Sequence, residues 1–398
     1  MENPLDVARL RADTPGCEHV LHLNNAGAGL MPRPVVSAIT DHIELEARIG
    51  GYEAASREEE RIEEARSAVA RLIGAEPRNI AFMENATAAF NTALSAIPFG
   101  RDDILLTSRI DYTSNQITYL ALQERFGIQV LHAPDLPEGG VDPLGAEELI
   151  HRRRPRLVAM SHVPTNAGTV QELAPIGRAC QDRGIPFLVD ACQSVGQLSV
   201  DVHDLGCDFL SATARKFLRG PRGCGFLYVS DSALERGLEP LFIDMRGAHW
   251  ISEDLYQPVT DALRFENWEN AYALILGLGA AAAYANALSL PLIEARVKEL
   301  ASMTRSLVSE IDRVTVLDRG TELCGLVTID VAGIEATRVV RALADANINA
   351  GASLWEYAVL DFTQKAVEGA VRLSPHYFNT PEEIQAAADV IEIGRAHV

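Results

Sequence analysis

Between residues 57 and 73 apolar side chains recur at Ile62, Ala65, Val69 and Leu72 with charges between them, the period of an amphipathic helix. Short apolar runs bounded by turns follow at 79–82, 103–106, 128–131, 157–160, 187–189 and 209–211, and a seventh at 223–229 comes after a glycine-rich turn. Helical spacing fills most of the gaps, over 113–126, 145–153 and 173–183. Continuous apolar strands alternating with helices predict an α/β fold whose seven-stranded, mostly parallel sheet is covered on both faces.

Beyond about residue 290 the pattern changes: a charged amphipathic helix over 292–311, a strand at 325–331, a helix, a strand from Val371, and a closing helix. Thr380-Pro-Glu-Glu, with a cap hydroxyl, a first-turn proline and two acids, opens that last helix. This predicts a large domain over 31–285, a small α+β domain over 286–398, and an N-terminal segment, 1–30, that covers the substrate and packs with the small domain. The uncharged stretch 271–290 is about long enough to span a bilayer, but its Ala- and Gly-rich second half predicts a closely packed buried helix instead.

A formal charge of −20 repels nucleic acid and anionic membrane, which removes both from the expected partners. The six cysteines show no C-x-x-C pair and no zinc-ligand spacing with histidine, so reduced thiols, a cytoplasmic location and no metal are expected. Asn85-Ala-Thr87 fits a glycosylation sequon and Arg152-Arg-Arg154 a solvated helix end; neither points to chemistry.

The chemistry lies in three residues. Asp190 ends a strand, Gln193 follows it, and Lys216 sits in a neighbouring loop. Carboxyl ends of parallel strands form the crevice where ligands bind. A carboxylate there can pair with a pyridine nitrogen, and a desolvated lysine can form an imine with an aldehyde. Asp190-Ala-Cys-Gln193, Thr213-Ala-Arg-Lys216 and Gly220-Pro-Arg-Gly223, in this order, resemble the D-x-x-Q, S-x-[HR]-K and GP-x-G motifs of fold-type I pyridoxal-phosphate enzymes of the class V aminotransferase and cysteine desulfurase family. The resemblance runs from about Leu21 to the C-terminal helix.

It implies pyridoxal 5′-phosphate as cofactor, carried by Lys216 as an aldimine and paired through Asp190 at the ring nitrogen. Gln193 would meet the phenolic oxygen. The backbone amides of Ala86 and Thr87, at a turn opening a helix, would take the phosphate with Thr213 and Arg215. Ala86 stands where the family commonly has a hydroxyl residue. Tyr112 occupies the place of a ring-stacking histidine, and either Thr165 or Asn166 that of an asparagine near the cofactor oxygen. Arg372 would bind the substrate carboxylate, with Asn25 and Gly27 in the segment closing over it. Residues 264–269 resemble a stretch that a homodimer partner lends to the phosphate, with Trp268 replacing a small hydroxyl residue.

The family's desulfurases carry a cysteine on a mobile loop ahead of the carboxylate-binding arginine; residues 349–357 hold none, and Cys324, the nearest upstream, lies inside an apparent strand. The motifs at 215–223 and 371–376 look nearest to the C–S lyase branch that includes hercynylcysteine sulfoxide lyase. The expected activity is therefore β-elimination on an amino-acid-like substrate. An aminotransferase, an epimerase and a specialised-metabolism enzyme using an activated side chain are alternatives, and a catalytically silent binding protein is a reading of a different class. Loop placement makes Arg246 and His249 candidates for a second anionic group on the substrate.

Overall fold

Strand-forming runs dominate the centre of the computed structural model, which describes residues 5–396. The large sheet consists of β1 (Ile80–Met83), β2 (Ile104–Thr107), β3 (Gln129–His132), β4 (Leu157–Ser161), β5 (Phe187–Asp190), β6 (Phe209–Thr213) and β7 (Gly225–Val229). Their order is β1-β7-β6-β5-β4-β2-β3, and β7 alone runs against the rest. In β4, Val158 and Met160 face one apolar core while Leu157 and Ala159 face the other, so both sides of the pleat are buried and the run reads as continuously apolar. From β2 the chain adds β3 on one side and then returns to add β4, β5 and β6 on the other. The reversal between β2 and β4 opens a crevice at their carboxyl ends, where Thr107, Ser161, Asp190 and Thr213 sit.

The stretch 271–290 forms the helix Tyr272–Leu288, which packs on Arg33–Ile49 and Glu59–Leu72. Among the described residues no single helix is long and apolar enough to cross a membrane. Gly277 and Gly279 permit the close approach: a Cβ at Gly279 would lie 2.2 Å from the Ala65 Cβ.

The small domain carries a four-stranded antiparallel sheet made of β8 (Val314–Val316), β9 (Val327–Val331), β10 (Gly351–Leu354) and β11 (Gly369–Leu373), in the order β8-β9-β11-β10. Leu300, Val308, Leu343, Ile384 and Ile391 from its helices bury the inward residues Val327, Ile329, Val371 and Leu373. Of the N-terminal segment, residues 1–4 lie outside the described residues. Leu21–His22 adds as a parallel strand to Ile348–Asn349, and Leu23 enters the small-domain core.

Two segments read from sequence as loops are strands. Residues 349–357 contain β10, and the 244–254 region begins a hairpin, Ala248–Ser252 with Leu255–Pro258. The hairpin's residues are almost all exposed, so no buried face imposes an alternating pattern on the sequence.

Gly279→Leu is expected to force apart the helices Tyr272–Leu288 and Glu59–Leu72 and to cost about 1–3 kcal/mol as overpacking. A melting temperature unchanged from that of the parent protein would contradict this packing.

Candidate active site

The loop after β6 places Lys216 over the crevice. Gly29 makes this possible: its amide donates to the Arg215 carbonyl at 2.7 Å, and a Cβ there would lie 2.6 Å from the Lys216 carbonyl oxygen. The chain has three lysines. Lys298 is paired with Glu294 and Glu322, and Lys365 with Asp361, whereas Lys216 is buried and has no ion pair among the described residues. Its Nζ stands 5.9 Å from the Tyr112 ring centre. Burial lowers its pKa below the ordinary lysine value; Cys192 and Asp190 oppose that shift, and Arg215 and Arg372 add to it.

Asp190 ends β5 and is buried. Its Oδ1 accepts from the Cys192 amide at 2.9 Å and its Oδ2 from Asn115 Nδ2 at 3.3 Å. The helix Ala86–Ser95 opens beside Thr213: Thr213 pairs in register with Gly225, and a Cβ on Gly225 would lie 3.3 Å from the Ala86 nitrogen. The Asn85 side chain caps the Ala88 amide at 2.9 Å and its carbonyl takes the Ala89 amide, so the amides of Ala86 and Thr87 have no partner among the described residues. Two free donors at a helix N-terminus attract an anion.

The remaining residues split into those facing this space and those tied elsewhere. Gln193 is buried; its Nε2 donates to the Ala26 carbonyl at 3.2 Å and Thr165 Oγ1 at 3.5 Å, and its Oε1 has no partner. Asn166 gives its Nδ2 to the Tyr357 carbonyl at 2.8 Å and leaves Oδ1 unpaired. Arg372 donates from Nη1 to the Thr165 carbonyl at 3.1 Å, its Nε is buried without a partner, and burial followed by the Arg215 charge pulls its pKa down to about 10. The Arg215 guanidinium hydrogen-bonds the Gly27 carbonyl, so it latches the N-terminal segment. Asn25 is buried with its Nδ2 on the Ser374 carbonyl at 2.8 Å, whereas Asn24 faces Arg372: a Cβ on Gly351 would lie 3.2 Å from Asn24 Oδ1 and 3.4 Å from Arg372 Nη2.

Arg246 is ion-paired with Glu266, and His249 lies exposed on the hairpin. Trp268 is also exposed, and the neighbouring Asn267 donates to Glu84 at the turn before Ala86, 3.2 Å away.

Sequence reading missed three features. Asn115, in the first turn of the helix Thr113–Phe126, donates to Asp190 and to Asp111, which precedes that helix. Cys192 sits near Lys216 and Asp190, and burial raises its thiol pKa well above the usual range, with Asp190 adding to the rise. Arg219 is fully buried: it donates to the Leu30 carbonyl at 2.7 Å, the Tyr377 hydroxyl at 2.6 Å and the Thr14 hydroxyl at 2.6 Å, and stacks on Tyr377 and Phe378. No motif marks Arg219 as buried, because its partners come from both ends of the chain.

The residues fit pyridoxal phosphate. Unpaired buried polar atoms on Gln193, Asn166 and Arg372, two open helix amides, an unpaired lysine and a strand-end carboxylate supply sites for an anion, an aldehyde and a ring nitrogen.

The family model for Aminotransferase class-V matches residues 21–387. A probable cysteine desulfurase of Methanothermobacter thermautotrophicus is 31% identical over 390 residues, 96% of each chain. A probable hercynylcysteine sulfoxide lyase of Mycobacterium tuberculosis is 28% identical over 93% of this chain and 89% of its own length. Among solved structures, the apo cysteine desulfurase from Thermococcus onnurineus superposes with a TM-score of 0.91 at 27% identity, covering 100% of both chains.

The lowered pKa of Lys216 means that its amine loses its proton at lower pH than that of Lys298, which is raised by its acidic partners. In protein stripped of cofactor, cyanate is expected to carbamylate Lys216 first as pH rises, read by peptide mass spectrometry. Labelling of Lys298 ahead of Lys216 would contradict the site.

Proposed function

This chain belongs to the aminotransferase class-V family of pyridoxal-phosphate enzymes, and from that premise we propose that it is a C–S lyase acting by β-elimination on a cysteine-derived amino acid. The observation that carries the reading is the strand facing Arg372. Gly351 pairs in register with Arg372, and residues 349–357 contain no thiol that could take sulfur from a substrate held there. Cys324 is fully buried, with its pKa pushed up to about 11, and Cys192 is held protonated beside Asp190, so neither is a poised nucleophile.

When bound, pyridoxal phosphate supplies an aldehyde that condenses with amines and a pyridine ring that draws electrons from the substrate α-carbon. The side chains do the rest. Lys216, its proton affinity reduced by burial, provides the amine and then takes the α-proton. Asp190 would hold a proton on the ring nitrogen. The Ala86 and Thr87 amides and the Thr213 hydroxyl would hold the phosphate, and Tyr112 would cover the ring. Arg372 binds the substrate carboxylate and fixes the α-hydrogen toward Lys216. Gln193, with Thr165 and Asn166, lines the phenolic-oxygen side. The Asn24–Gly27 segment, latched by Arg215 to Gly27, shuts water out. The Cβ–S bond breaks with both electrons leaving on sulfur, and water converts the released enamine to pyruvate and ammonium.

With cystine or an S-substituted cysteine the holoenzyme is expected to form pyruvate and ammonium in equal amounts. Alanine as the product would mark a desulfurase instead, and a pyridoxamine spectrum an aminotransferase. Arg372→Ala removes charge-assisted hydrogen bonds worth about 3 kcal/mol, so KM is expected to rise about 100-fold with a smaller change in kcat. An unchanged KM would place the carboxylate elsewhere.

A homodimer belongs to the same reading. Phe242 is 85% exposed and Trp250 82%, beside Leu241, Met245 and Ile251, an apolar patch suited to a second copy of the chain. Phe242→Asp with Trp250→Asp is expected to halve the sedimenting mass; a parent protein that already sediments as a monomer would refute this.

A further inference from the structure

Asp111 follows β2 and lies buried below Asp190. Its Oδ1 accepts from the Tyr112 amide at 2.7 Å, from Asn115 Nδ2 at 3.2 Å and from the Ser161 hydroxyl; its Oδ2 accepts from the Tyr119 hydroxyl at 2.7 Å and the Thr107 hydroxyl at 3.0 Å. Five donors converge on one carboxylate, and the amide and Asn115 among them can only donate. Asn115 places its second Nδ2 proton on Asp190 Oδ2 at 3.3 Å, so one side-chain amide bridges two buried carboxylates. The Cys192 amide holds the other Asp190 oxygen. Both oxygens of Asp190 are thereby oriented from behind, which leaves the carboxylate's open side for the crevice.

We propose that Asp111 is an ionised positioning residue that, through Asn115, fixes the Asp190 carboxylate and sets a second negative charge behind it, so that the cofactor's ring nitrogen stays protonated. The proposal rests on the cofactor reading of the preceding subsection. A helix anchor would need no charge: the helix Thr113–Phe126 begins at Tyr112 without a side-chain cap, and an amide at position 111 could still accept from the Tyr112 amide. The charge acts on the nitrogen. The other ionisable groups around the pair are Lys216 and Cys192, which face Asp190, and Tyr119, which faces Asp111 and whose pKa rises well above that of an ordinary tyrosine through burial and then the Asp111 charge. Burial, with the Asp190 charge adding to it, raises the Asp111 pKa above the usual carboxylate value, and the hydrogen bonds from Ser161, Tyr119 and the Tyr112 amide oppose that rise. The five converging donors are what favour the carboxylate. The ring nitrogen would therefore face Asp190, with the Asp111 charge linked behind it through Asn115.

The test uses holoprotein reconstituted with pyridoxal phosphate carrying ¹⁵N in the ring, whose chemical shift reports protonation directly. In Asp111→Asn and in Asn115→Ala the nitrogen's pKa is expected to fall by about one unit, tenfold in the protonated-to-neutral ratio. The turnover number on the eliminating substrate falls with it while KM stays within about twofold, and Asp111→Glu recovers part of both. Asn115→Ala leaves Asp111 in place and carries the test if Asp111→Asn does not fold. A ¹⁵N titration curve in the Asn115→Ala and Asp111→Asn holoproteins that matches the parent's, with only the melting temperature lowered, would overturn the proposal. A parent protein that binds no pyridoxal phosphate, and is indifferent to Lys216→Ala, would overturn the functional reading instead.

Discussion

Crowding of positive charge at the carboxyl ends of the large sheet is the constraint on which the rest of the site depends. Lys216 and Arg372 are buried with the half-buried Arg215 near them, and burial lowers the proton affinity of all three. An unpaired buried cation is costly, so such an arrangement persists when something anionic offsets it. In the reading proposed above, a phosphate at the Ala86–Thr87 amides and a substrate carboxylate at Arg372 would supply that offset. Asp190 lies at the strand ends beside these cations, with Asp111 behind it across Asn115. Positive rim and negative floor would together orient a zwitterionic amino acid joined to an anionic cofactor.

Much of this was legible before any coordinates. β4 and β5 are uninterrupted apolar runs because both faces of the sheet are covered, and a strand that ends in Asp190 declares its polar tip. Lys216 and its trailing glycines were legible because tight backbone approaches, such as that between Gly29 and the Lys216 carbonyl, leave small residues in the text. What the text concealed was connectivity through space. Asn115 looks like an ordinary polar residue on a helix, and only its position between two strand ends gives it both carboxylates. Asn24 and Asn25 are adjacent and alike; the turn alone decides that one faces Arg372 and the other Ser374. The hairpin from Ala248 was illegible for the opposite reason, since nothing in this chain covers it.

Arg219 links parts that sequence would keep apart. Its three donors hold Leu30, Thr14 and Tyr377, while Arg219 itself lies in the lysine loop, three residues after Lys216. The N-terminal segment is further held by Ser374, which donates from its amide to the Leu23 carbonyl at 2.7 Å. These bonds tie the end of β11, the N-terminal segment and the loop bearing Lys216 to one another, so the three are held as one mechanical frame.

The one antiparallel strand also sets a timetable. β7 lies between β1 and β6, so the turn after β1 that opens the helix Ala86–Ser95 meets Thr213 and the lysine loop only through the last strand of the sheet. During synthesis, a ribosome must release residues through Val229 before β1 has its neighbour. Such sequence-distant pairing is slow, because loop closure precedes its reward. The space between Ala86 and Thr213 is therefore completed late, by a strand that carries none of the polar strand-end residues Thr107, Ser161, Asp190 and Thr213.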